Sequence, residues 1–89
     1  MIRPRNNMKQ TVTETLESLG ETLTPFIRHN EDEPRRWVVA LADDSCFLLI
    51  EIIFENGGIV GGILENNGIK PFRASRIMND ILNRLHFED

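Results

Sequence analysis

One cysteine in 89 residues excludes an internal disulfide. The two histidines, His29 and His86, belong to no Cys/His cluster with metal-ligand spacing, so neither a metal nor a cofactor is expected. An excess of positive charge is also missing: 10 Lys and Arg stand against 14 Asp and Glu, a net charge of −4. Nucleic-acid binders gather cations on one face and carry a basic balance. Here the bases are scattered from Arg3 and Arg5 through Arg28, Arg35 and Arg36 to Arg73, Arg76 and Arg84, which argues against nucleic acid. Long apolar runs are absent as well. The longest, residues 46–50 with 52–54 after Glu51, is far too short to cross a bilayer. Polar residues follow Arg3 and Arg5 where a secretory signal would be apolar. A lone thiol and no targeting segment point to a reducing cytoplasm.

What is present is ordinary globular composition, 40% hydrophobic and 27% charged. A chain this short buries only roughly 60–65% of the surface its unfolded form exposes, so a thin single core is expected. Such domains often gain stability from a partner. Residues 1–7 lack periodicity and read as a flexible N-terminal tail, leaving residues 8–89 as a single small α+β domain. Val12, Leu16, Leu19 and Leu23 form one stripe of an amphipathic helix over about residues 8–23, weakened at Gly20 and stopped by Pro25. Residues 28–36 read as a polar linker in solvent. Strands are expected over 37–42, 46–55 and 59–65, divided by Asp43-Asp44-Ser45 and by the hairpin signal Asn56-Gly57-Gly58. Pro71 opens a final helix to about residue 86, with Ala74, Ile77, Met78, Ile81, Leu82 and Leu85 as a wide apolar stripe. The expected order is α-β-β-β-α, a three-stranded antiparallel meander packed with two helices.

The central strand is apolar on both sides. Leu48, Ile50, Ile52 and Phe54 share one face; Phe47, Leu49, Glu51, Ile53 and Glu55 share the other. A sheet with one solvated face should alternate more cleanly. Either the two helices sit on opposite faces, or a second chain, foreign or identical, covers the remainder. Gly61-Gly62 in the last strand reads either as a kink of a twisting edge or as a flat platform for a partner.

Candidate chemistry is sparse. Cys46 follows two aspartates that raise its pKa, which suits a buried structural thiol better than a nucleophile. Lone His29 and His86 read as surface residues. Glu51 and Glu55 keep a sheet face hydrated rather than forming an acid–base pair, and Glu31-Asp32-Glu33 lacks the ligand alternation and glycine of a calcium loop. No catalytic residue is expected, and the chain is read as a non-enzyme. Lys70, Arg73, Arg76 and Arg84 lie where the double-stranded RNA-binding domain, similar in element order, carries its basic cluster, but that family's lysine- and alanine-rich helix opening is absent.

More of the chain resembles another family. Leu16-Glu17-Ser18-Leu19-Gly20 on the leading helix, a strand opening at Trp37, Leu49-Ile50-Glu51-Ile52, and Ile81-Leu82-Asn83-Arg84-Leu85 look like the first half of YbjN-type proteins, whose fold is similar to type III secretion chaperones. The resemblance implies a small acidic protein that binds other chains without catalysis, and it brings no catalytic residues.

The expectation is therefore a protein-binding module: adaptor, chaperone-like protein or inhibitor. Its contact surface is expected at Phe47, Leu49 and Ile53, rimmed by Glu51, Glu55, Asp43 and Asp44. The partner is another protein, with a homodimer possible, and no membrane. An alternative is a small acidic inhibitor of the phage type that mimics nucleic-acid charge, using Glu31–Glu33, Asp43, Asp44, Glu51, Glu55 and Glu65. A binder of nucleic acid like the double-stranded RNA-binding domain is the third reading.

Overall fold

The computed structural model describes residues 3–4, 7–85 and 87–88. In chain order the elements are β1 (Arg3–Pro4), α1 (Met8–Ser18), β2 (Thr24–His29), β3 (Arg36–Ala42), β4 (Phe47–Glu55), β5 (Gly58–Asn67), α2 (Pro71–Arg84) and β6 (Phe87–Glu88). Strands β2 to β5 form one antiparallel sheet in sequence order, and β1 pairs with β6 in a separate two-residue ladder. Part of the expected tail over residues 1–7 thus carries this ladder; the rest of it, apart from Asn7, and the expected helix end at His86 lie outside the described residues.

The α+β class is as expected, but the main sheet has four strands where three were expected. The difference begins at the end of α1. Asn7 caps its start, accepting from the Gln10 backbone N–H at 3.0 Å. The helix stops at Ser18, five residues short of the expected end, because Gly20 takes a φ of +70°. The Gly20 N–H then donates to the Glu17 carbonyl and the Glu21 N–H to the Leu16 carbonyl, at 3.1 and 2.8 Å. This is a Schellman closure, which satisfies the last carbonyls and reverses the chain. Pro25 is therefore not a helix stop. It sits in β2 opposite Leu41, on an edge strand where a missing N–H is tolerated.

The polar stretch expected to be a linker is a hairpin turn between β2 and β3. Asn30 organises it: its carbonyl accepts from the Glu33 N–H, and its side-chain oxygen from the Asp32 N–H, both at 2.9 Å. Next to this turn, His29 stacks on its ladder partner Trp37 with ring centroids 3.9 Å apart. His29 is thus a strand residue rather than part of a loop.

Both helices lie on the same side of the sheet. Val39 and Leu41 from β3 and Leu48, Ile50, Ile52 and Phe54 from β4 are wholly buried beneath Met8, Val12 and Leu16 of α1 and Ala74, Ile77 and Ile81 of α2. The helical and strand periodicities converge on one layer of core. A buried carboxylate ties this layer together. Glu21, whose side chain is 6% exposed, accepts hydrogen bonds at 3.0 and 2.9 Å from Nε of Arg73 on α2, and Arg76 lies at 4.0 Å. The Arg73 hydrogen bond pulls the Glu21 pKa below its ordinary value. Arg84 of α2 reaches the Ser18 hydroxyl at 2.9 Å.

The adjacent glycines of β5 have different roles. Gly61 stands opposite Ile52 on the helix side, where an added Cβ would meet Leu82 Cδ1 of α2 at 2.7 Å. Gly62 stands opposite Glu51 on the other side, with open space around it. The sheet's irregularity lies elsewhere, between Leu49 and Ile50, where Leu64 is left without a partner in the ladder. Gly61→Val should therefore overpack the β5–α2 contact and lower stability by roughly 1–3 kcal/mol, while Gly62→Ala should change it by less than about 1 kcal/mol. Urea unfolding followed by circular dichroism separates the two; equal losses would refute the assignment.

Candidate protein-binding surface

With both helices on one side, the other side of the sheet has no covering layer among the described residues. Strand register fixes its rows. One row runs Arg28, Val38, Glu51, Gly62; the next Phe26, Ala40, Leu49, Glu65; the next Thr24, Ala42, Phe47, Asn67. On the other flank Arg36, Ile53 and Val60 form a shorter row, followed by Glu55 and Gly58. Phe26 is 62% exposed and Val60 is 50% exposed. A groove of about 560 Å3 runs over this face, lined by Phe26, Arg28, Val38, Ala40, Phe47 and Leu49 among others. An apolar surface of this extent edged by charge is the form that protein contact sites take.

Of the residues expected here from sequence, Phe47, Leu49 and Ile53 do lie together on this face, each half-buried. Glu51 lies among them, but it is not a free acid of the rim. Its Oε2 accepts from Arg36 Nε at 2.5 Å, which raises the Arg36 pKa, and Glu33 lies 3.8 Å from the same guanidinium. Glu55 is exposed at the far end of β4. Asp43 and Asp44 fall in the β3–β4 turn at the opposite end.

Asp43 holds that turn closed. Its Oδ1 accepts from the backbone N–H groups of Ser45 and Cys46, both at 2.8 Å, and from the Ser45 hydroxyl and Cys46 thiol at 3.1 and 3.2 Å. These bonds, led by the Ser45 N–H, lower its pKa to about 2. The same carboxylate raises the Cys46 pKa, first through the thiol hydrogen bond, so the reactive thiolate is disfavoured. Asp44 is exposed. The acidic rim therefore reduces to Asp44, Glu55 and Glu65, and a cation, Arg28, faces it across the sheet.

Sequence reasoning missed Phe26, Arg28, Val38, Ala40 and Val60 as parts of this surface. The first two belong to the strand that was not anticipated. Val38 and Ala40 were legible as the second side of β3, by the same two-residue alternation that identified Phe47 and Leu49.

Among the described residues no group of three or more His, Cys, Asp or Glu side chains is placed to hold a metal ion, and no helix is long and apolar enough to cross a membrane. Comparison with protein-family models, with curated proteins and with solved structures finds no match.

The Asp43 turn has a pH signature. Its folded-state pKa lies below the ordinary 3.8, so the turn contributes stability above about pH 4 that is lost as pH falls through about 2. Asp43→Asn keeps an acceptor oxygen but does not titrate. The wild type should be the more stable at pH 6, and the gap between the two urea midpoints should close on acidification toward pH 2. A gap independent of pH would refute the role given to this carboxylate.

Proposed function

We propose that this chain is a non-enzymatic protein-binding module, an adaptor, chaperone-like protein or inhibitor, that docks through the open sheet face. One observation carries the reading: both helices cover the same side of the sheet, leaving Phe26, Leu49, Ile53 and Val60 on a face with no layer of its own. Covering this face with a complementary apolar surface would remove it from water, which favours association by roughly 25 cal/mol for each Å2 of apolar area. The resemblance of the helix and strand segments to YbjN-type and secretion-chaperone-like proteins points the same way, toward binding of other chains without catalysis. A cytoplasmic location suits a single thiol held protonated by Asp43.

The two other readings have less support. For nucleic-acid binding, the cations of α2 would have to be available, yet Arg73 is committed to Glu21 and Arg84 reaches Ser18. For charge mimicry, a continuous acidic field is needed, yet Glu51 is paired with Arg36 and the exposed Asp43 carboxylate accepts the N–H groups of its own turn.

A Leu49→Asp substitution places a charge at the centre of the face without entering the helix-side core. Partner proteins retained from a host extract by the immobilised wild type should bind on the order of tenfold more weakly or be lost. A Glu17→Lys control on α1 should retain them. Retention should change little between 50 mM and 500 mM salt, whereas charge mimicry would weaken steeply over that range. A partner set insensitive to Leu49→Asp would remove this face from the function.

A further inference from the structure

We infer that the open face docks against the same face of a second copy of this chain, about a two-fold axis running along the strands between β3 and β4. This rests on the reading of that face as a docking surface and names its occupant. The pattern of side-chain sizes carries it. On the open side β3 presents Arg36, Val38, Ala40 and Ala42, whereas β4 presents Phe47, Leu49, Glu51 and Ile53. Outside the Arg36–Glu51 ion pair, small residues lie on β3 and large ones on β4. A two-fold axis parallel to the strands lays β3 of one copy over β4 of the other and preserves each row. Ala42 then meets the partner's Phe47, and Ala40 the partner's Leu49, so bulk enters space along the centre of the interface.

The outer strands obey the same operation. It lays β2 over β5 of the second copy. β2 brings the exposed Phe26 and the cation Arg28; β5 offers Gly62, which has nothing near its Cβ position, and the acid Glu65, which shares the row of Phe26. Arg28 lands in the row of Gly62, one row from Glu65, and symmetry makes this contact twice. Neither Arg28 nor Glu65 has an ion-pair partner among the described residues. An axis lying across the strands would instead stack β4 on β4, large against large, and leave the alanines of β3 facing one another over a gap. Aligned packing of two such sheets about 10 Å apart is a standard sandwich geometry. Four strands spaced about 4.8 Å apart and about five residues long give a footprint of roughly 330 Å2 on each copy, about 650 Å2 in total, which is the size of a weak, transient interface. The dimer is therefore expected to dissociate in the micromolar range.

Light scattering on the full chain across a hundredfold range of concentration, in reducing buffer, tests this. The wild type should rise toward twice 10.3 kDa. Leu49→Asp should remain monomeric, as should Gly62→Arg, whose added side chain extends into open space in the monomer and so leaves the fold intact. Arg28→Glu should weaken dimerisation roughly tenfold at low salt, because each lost pair counts twice. Adding Glu65→Arg to Arg28→Glu should restore it. A wild type that stays monomeric throughout overturns the inference; if Leu49→Asp still abolishes binding of a foreign protein, the docking-surface reading survives that failure. A dimer untouched by both Leu49→Asp and Gly62→Arg lies elsewhere and also overturns it. A dimer dispersed by these variants but not restored by the charge exchange refutes the proposed axis.

Discussion

The structure depends on one shortage: there are two helices for a four-stranded sheet that is apolar on both sides. Four strands at about 4.8 Å spacing make a sheet roughly 19 Å wide, and two helices side by side at 8–10 Å span that width once. α1 and α2 are therefore just enough to cover one face. They take the face where Leu48, Ile50, Ile52 and Phe54 form an unbroken apolar row, which buries the most area. The face of Phe47, Leu49 and Ile53, interrupted by Glu51 and Glu55, is the one left over. The same competition for coverage thus determines both the core and the candidate interface.

Much of the charge on the helix side serves this arrangement. Glu21 lies just after the Gly20 reversal, and its bond to Arg73 links the end of α1 to the start of α2 over the sheet. Taking a carboxylate out of water is costly unless it is paired, and here two guanidinium groups stand beside it. A basic helix that would look available for phosphates on a sequence basis is thus largely used in holding the two helices in register. On the open face the opposite holds. There the acids and cations lie at the margins of an apolar centre, except for the Arg36–Glu51 pair, which neutralises itself within the face.

The sequence was most legible where a single period governed a segment. The two-residue alternation of β4 identified both of its faces, and the 3.6-residue stripe of α2 gave its buried side, including Ala74, Ile77 and Ile81. It was least legible where two breakers competed. Gly20 and Pro25 both can end a helix, and the apolar spacing runs past the glycine to Leu23. That Leu23 is buried follows from the chain turning back toward the core, not from helical continuation. Placing the stop at Pro25 used up the residues just before β2 and turned the Asn30 hairpin into a linker. One displaced boundary therefore hid a whole edge strand, and with it Phe26 and Arg28. The side on which each helix lies was not legible at all, because an amphipathic stripe records that a face is buried and not which surface buries it.

The edges of the sheet bear on how this surface is used. An open sheet can recruit another chain by adding a strand to its edge or by covering its face, and proteins commonly suppress the first. Here β2 carries Pro25, which cannot donate to a ladder, and β5 is interrupted by the unpaired Leu64. Both devices disfavour indefinite edge-to-edge growth. The face has no comparable obstruction: Glu51, the charge nearest its centre, is neutralised in place by Arg36. The edges are thus blunted while the face remains apolar at its centre and charged at its margins. This distribution disfavours open strand addition and leaves the face as the surface on which side-chain size and charge are displayed.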